Sequence, residues 1–230
     1  WINNKKRFLD KIKIMDASFC TTDPGSLNFH KHDPIYYIPN PVDESFEKLH
    51  NYKKSYFNHD VFFAMSHGVH RGVLKSGKFD NRENFINTLI RRTPDVKFDL
   101  YGMNNRQPLW ADNFINAISQ SKIGLNLSQG NPTKYYSSDR FAQLIGNGLL
   151  VMIDEKTKFN DFFNKDEIVL YKNISDLAEK TIKFVTEDKL RKKIAKKGRD
   201  KYFKYFNSTN IADFIIKKTF TLKHKKFYWE

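Results

Sequence analysis

Apolar runs of strand length alternate with helix-period segments along most of this 230-residue chain, and that alternation limits what it can fold into. The strand candidates are Lys13–Met15, Pro34–Ile38, Asp60–Met65, Val96–Tyr101, Lys122–Leu127, Leu149–Ile153 and Ile168–Tyr171. Most are short, unbroken and rich in Phe, Val, Ile and Leu, the pattern of strands buried on both faces. Helices are expected between them. Asp80-Asn81-Arg82-Glu83 reads as a capping box, with Phe85, Leu89 and Ile90 following on one face. Trp110, Phe114 and Ile118 recur at i, i+4 and i+8. A third helix, from about Ser138 to Ile145, turns Phe141, Leu144 and Ile145 inward and stops at Gly146-Asn147-Gly148. Ser175 can cap a fourth, up to about Thr186. A basic helix from Glu187 to about Phe206 has Leu190 and Ile194 as its stripe, and Ser208 or Thr209 can cap a last one with Ile211, Phe214 and Ile215 inward. Repeated strand–helix–strand units imply right-handed crossovers, hence an α/β fold with helices on both faces of a parallel sheet. Ligands of such sheets bind beyond the carboxyl ends of the strands, which points to the loops after Met65, Tyr101, Leu127 and Ile153.

Pro39-Asn40-Pro41-Val42-Asp43 is the best hinge candidate, because two prolines force extended backbone. Residues 1–38 hold about one strand–helix–strand unit, too little to bury a core alone, so residues 1–43 read as the end of a preceding domain and its linker. The chain starts at Trp1 and reads as part of a longer polypeptide. Its single cysteine, Cys20, excludes an internal disulfide and fits a reducing, cytoplasmic setting. No apolar run reaches membrane-spanning length. The formal net charge is +14, and it is concentrated: residues 179–230 hold 16 Lys/Arg against 6 Asp/Glu. That region is either a solvated basic helix face or a surface that attracts a polyanion, such as nucleic acid or anionic lipid on the inner face of a membrane. The aromatic-basic stretch Lys223–Trp229 has the composition of an interfacial anchor, and equally of a plain tail.

Two loops carry residues suited to a phosphorylated ligand. Ser66 to Lys78 contains Gly68, Gly72 and Gly77, which let backbone approach a ligand, and Arg71, Lys75 and Lys78, which supply charge. An ordinary surface loop is the alternative. Ser128 to Arg140 is polar and ends at a helix start, where free N–H groups and the helix dipole favour an anion. Ser137 and Ser138 can cap that helix or donate to the anion, and Tyr135 or Tyr136 can stack on a base or sugar ring. Arg140 in the first turn opposes the dipole and makes better sense beside an anion. His67-x-x-His70 and His30-x-His32 lack a third ligand at zinc-like spacing. No Walker loop, G-x-G-x-x-G or Asp-x-Asp occurs, so Arg, Lys and a helix dipole would have to neutralise a leaving diphosphate without metal.

Tyr101-Gly102, the run Ser121–Ser128, Arg140-Phe141-Ala142-Gln143 through Gly146-Asn147-Gly148, and the run Asp166–Tyr171 occur in an order that resembles the C-terminal domain of GT-B glycosyltransferases. The pattern is closest to the group 1 type that includes the spore-maturation CgeB-like proteins, and covers roughly Asp60 to Phe206. The resemblance implies a Rossmann-like domain over residues 44–206 that binds a nucleotide-diphosphate-sugar, a remnant of the N-terminal domain in residues 1–43, and a crossing helix with a basic-aromatic tail in 207–230. It places Arg71 and Lys75, with Gly68 in the same loop, near the diphosphate. Arg140, with Tyr135, Tyr136, Ser137 and Ser138 before it, falls at the phosphate-side helix start, and Gly102 with its following loop at the base-binding wall. Gln143 stands where the family commonly has Glu to hold the ribose, and the partner Glu position falls at Tyr135. The implied function is metal-independent sugar transfer from a nucleotide-diphosphate-sugar to a saccharide or lipid-linked acceptor, with no cofactor and with the catalytic base unassigned. The alternatives are a nucleic-acid-binding α/β module and an inactive GT-B-like binding protein.

Overall fold

The computed structural model describes residues 5–29, 34–65, 69–70, 73–74 and 81–230. The first described elements are α1 (Lys5–Ile12), β1 (Ser18–Cys20) and β2 (Ile35–Tyr37), the two strands pairing in parallel. The strand expected at Lys13–Met15 lies one step later in the chain. Ile14 and Met15 are exposed beyond the end of α1, whereas Ser18 and Cys20 alternate inward and pair with β2.

After the linker come β3 (His59–Ala64), a small antiparallel pair β4 (Val69–His70) and β5 (Val73–Leu74), and α2 (Asn81–Arg92). Then follow β6 (Phe98–Tyr101), α3 (Ala111–Ile118), β7 (Ser121–Asn126), α4 (Asp139–Gly146), β8 (Leu150–Asp154) and β9 (Val169–Tyr171). Three helices close the order: α5 (Ile174–Thr186), α6 (Asp188–Tyr205) and α7 (Ser208–Thr219). The five main strands pair in the order β6-β3-β7-β8-β9, all parallel. The chain runs from β3 outward to β6, then returns past β3 to β7. The order of winding therefore reverses between β3 and β7, and the crevice beyond their carboxyl ends is where such a sheet leaves room for a ligand.

Strand alternation divides the core between the two faces. Phe62, Ala64, Val151 and Ile153 join Phe141, Leu144 and Ile118 on the α3–α4 side, while Val61, Phe63, Leu125 and Met152 join Ile86, Leu89 and Leu177 on the α2–α5 side. Trp110, expected in the apolar stripe of α3, is instead 54% exposed, because the helix begins after it. Two helix starts are held by Asn rather than by the Ser or Thr beside it: Asn173 accepts from the amides of Ser175 and Asp176, and Asn207 from that of Asn210.

The Pro39–Asp43 segment is fastened along its length. The Asn40 side-chain amide donates to the Ser137 carbonyl at 3.2 Å, and the Tyr202 hydroxyl to the Asn40 carbonyl at 2.7 Å. Buried Val42 donates from its amide to the Phe206 carbonyl at 3.1 Å and accepts from the Ser208 amide at 2.9 Å. The Ser208 hydroxyl also donates to the Asp43 carboxylate. That bond, followed by the Ser45 side chain and amide, pulls the Asp43 pKa down to about 2. A depressed carboxylate stabilises the fold fully above its ordinary value of 3.8 and loses that contribution as pH falls through about 2. Ser208→Ala should move the Asp43 titration midpoint, read by carboxyl-carbon NMR, up toward 3.8; an unmoved midpoint would mean that the α7 contact does not hold this charge.

The carboxyl-terminal rings fold inward. Trp229 is buried against Phe206 and Phe214, Phe227 packs on both Phe214 and Trp229, and Tyr228 stacks on Tyr205 with ring centroids 4.1 Å apart. The aromatic half of the anchor-like composition of Lys223–Trp229 is thus taken up mainly by packing.

Candidate functional site

Arg140 occupies the point where the winding reverses. It sits in the first turn of α4, only 7% exposed, and lies over the Phe63 ring with its guanidinium carbon 4.8 Å from the centroid. One terminal nitrogen donates to the Ala64 carbonyl at the end of β3, and the other to the Leu127 carbonyl just past β7, at 3.0 Å. Nε is buried without a hydrogen-bond partner. Burial, then the nearby Arg82 guanidinium, holds the Arg140 pKa down to about 10, still far above neutrality. Arg82 lies in the first turn of α2, the helix that follows the β3 loop. Two cations, each in the first turn of a helix where the dipole disfavours it, therefore lie close enough for their charges to repel. Such an arrangement suits an anion.

A cleft of about 600 Å³ opens at the same place, a size suited to a nucleotide-sized ligand. Ala64, Met65, Arg140 and Gln143 form its floor, the stretch Pro108–Asp112 with Phe114 forms one wall, and Ser45–Lys48 the other. Burial raises the pKa of Glu47 in that wall; its carboxylate accepts from the Asp43 amide at 2.8 Å. The wall at Trp110 is bent by Ala111, which takes a left-handed φ of 48°.

The sequence-derived residues divide in this geometry. Arg140 and Gln143 line the cleft. Gly102 lies directly behind Met65 of its floor. Half-buried Tyr136 is near enough to interact electrostatically with Arg140. Tyr135 has partners within the chain: its ring packs 4.6 Å from that of Phe162, and its hydroxyl donates to Asp161 at 2.8 Å; burial, then that bond, raises its pKa. Ser137 is buried, with its carbonyl accepting from Asn40. Ser138 precedes α4 without capping it; its hydroxyl donates to Asn126 at 2.9 Å. Gly68, Arg71 and Lys75 lie outside the described residues, as do His30, His32, His67 and the cap position Asp80. Arg82 and Trp110 are additions from the structure. Arg82 carries the same signal as Arg140, a cation in a first helical turn, but within Asp80–Glu83 the capping pattern accounts for the helix start without it. A direct check follows for Tyr135: if it serves the core alone, Tyr135→Phe lowers stability by about 1 kcal/mol in urea unfolding but leaves nucleotide affinity within roughly twofold. A larger affinity loss would return Tyr135 to the ligand.

Residues 81–217 match the family described as glycosyl transferase-like, and the chain belongs to it. Its architecture is that of the GT-B glycosyltransferases. TarM aligns with a TM-score of 0.64 at 16% identity, over 94% of this chain and 45% of that one. HepE from Anabaena, solved with UDP and glucose, aligns with a TM-score of 0.64 at 11% identity, over 90% of this chain and 63% of that one. A glycosyltransferase from Rickettsia africae gives 0.59 at 12% identity, over 90% of this chain and 65% of that one. The chain thus spans between about half and two thirds of the length of these structures. No curated protein sequence matches it.

Proposed function

We propose that this chain is the donor-binding part of a glycosyltransferase that moves a sugar from a nucleotide diphosphate to a saccharide or lipid-linked acceptor. The observation that carries this reading is Arg140: a buried cation with an unpartnered Nε, set beside Arg82 at the carboxyl ends of β3 and β7. The diphosphate lies against these guanidinium groups and the start of α4, which do the charge neutralisation a metal would otherwise do. The nucleoside extends along the Pro108–Asp112 wall, and Gln143 offers an uncharged amide to the sugar hydroxyls. Residues 1–43 are the end of the N-terminal half, whose remainder would supply acceptor contacts and the catalytic base. Complexes of neighbours support the donor class: a TarM mutant was solved with Fondaparinux, α-GlcNAc-glycerol and UDP, and HepE with UDP-glucose. The test is calorimetric titration of the chain with UDP, GDP, dTDP and CDP. Saturable binding of one of them is expected; no binding to any, in this chain or in a longer form carrying the rest of the N-terminal half, would sink the donor reading.

A further inference from the structure

The helix α7 buries only one face. Ile211 and Phe214 enter the core, and Phe214 meets Phe19 of β1 and Tyr36 of β2 edge-on, both at 6.1 Å. Ile216 and Phe220, two and six residues further on, turn to the opposite side of the helix at roughly 100° per residue. They are 51% and 69% exposed. The helix then ends in a Schellman turn, in which the Leu222 amide donates to the Lys217 carbonyl at 2.9 Å across Thr221 at φ 52°. A β-branched residue pays a strain cost in that left-handed conformation. Its effect is to bring Leu222, 49% exposed, back toward the helix end that carries Ile216 and Phe220.

Charge of one sign follows at once. Lys223, Lys225 and Lys226 are exposed, and none has a carboxylate partner among the described residues. The neighbouring acids are already engaged: Asp213 with Lys217, and Glu230 with Lys218 and His224. Exposed bulky apolar groups and uncompensated cations are each unfavourable or idle in water, yet side by side they match the two layers of an anionic bilayer surface. Apolar groups alone would suit a second copy of the chain, and lysines alone a nucleic acid; the pairing favours lipid. The face also points away from β1 and β2, which Phe214 meets on the other side of the helix. No helix among the described residues is long and apolar enough to cross a membrane.

We infer that the carboxyl end of α7 is a docking face for an anionic lipid bilayer, with Ile216, Phe220 and Leu222 entering the headgroup boundary and Lys223, Lys225 and Lys226 lying over the headgroups. This does not depend on the donor site. The chain should co-sediment with phosphatidylcholine vesicles that contain phosphatidylserine, and far less with phosphatidylcholine alone. Phe220→Asp combined with Leu222→Asp should lower the partition coefficient at least roughly tenfold. Charge reversal at the three lysines should lower it roughly a hundredfold, and added salt should weaken the wild-type binding. All these positions are exposed, so the thermal midpoint should stay unchanged and serve as the folding control. Absence of binding to the anionic vesicles overturns the proposal. So does binding that survives the Phe220/Leu222 change, binding that an oligonucleotide displaces, or self-association that the same change abolishes.

Discussion

Gly102→Ala is expected to cost about 3–5 kcal/mol of stability, among the largest effects of any single substitution in this chain. Gly102 follows β6 with φ 74°, and a Cβ built there would stand 1.7 Å from the Met65 carbonyl oxygen. Left-handed backbone costs an alanine about 1–2 kcal/mol by itself. The rest comes from the contact: the obstructing atom is backbone, so either the end of β3 or the loop after β6 must move. That junction is also tied by the Met65 amide donating to the Tyr101 carbonyl at 3.0 Å, so displacement breaks a strand pairing too. Gly130 is the natural control. It has nearly the same φ, 72°, but nothing lies within 4 Å of its would-be Cβ, so Gly130→Ala should lose only about 1 kcal/mol. Urea unfolding of both variants separates strain from close approach. Equal losses would mean that the Met65–Gly102 contact is not formed as described. Met65 also lines the cleft, so Gly102→Ala should weaken nucleotide binding even in the fraction that folds.

The sequence showed the sheet because its strands are buried on both faces, and unbroken runs such as Val-Phe-Phe-Ala and Leu-Val-Met-Ile have no other economical place. It misplaced the first strand because Lys-Ile-Met beyond α1 is apolar enough to imitate one, while Ser18–Cys20 is short and mixed. Helix-start electrostatics and ordered motifs singled out Arg140 and Gln143, and both line the cleft. The sequence also put Tyr135 and Ser138 at the ligand, where the hydroxyls have partners within the chain, far along it in Asp161 and nearer in Asn126. A hydroxyl near a glycine-containing loop looks the same in sequence whether its acceptor is a phosphate or a distant carboxylate. Arg82 and Trp110 became visible only when crossover topology brought α2, α3 and α4 to one end of the sheet.

Removing Arg140 should weaken nucleoside diphosphate binding at least thirtyfold, about 2 kcal/mol for a charge-assisted contact in a buried setting. Arg140→Ala alone is ambiguous, since it also strips the donors from the Ala64 and Leu127 carbonyls and should cost about 2–4 kcal/mol of stability. Arg82→Ala resolves the ambiguity through the sign of its two effects. Arg82 is half-buried at the start of α2, and its charge opposes that of Arg140. Its loss should leave unfolding free energy within about 0.5 kcal/mol of wild type, because relief of repulsion offsets the contacts given up. Affinity for the same nucleotide should nevertheless fall roughly tenfold. Calorimetry and urea unfolding on the two variants therefore test one idea from both sides. If Arg82→Ala binds as well as wild type, the pair does not serve a diphosphate, and Arg140 is left as a clamp between the ends of β3 and β7. If binding falls while stability holds, the two cations are placed for the ligand, and their mutual repulsion in its absence is a cost that the bound anion relieves.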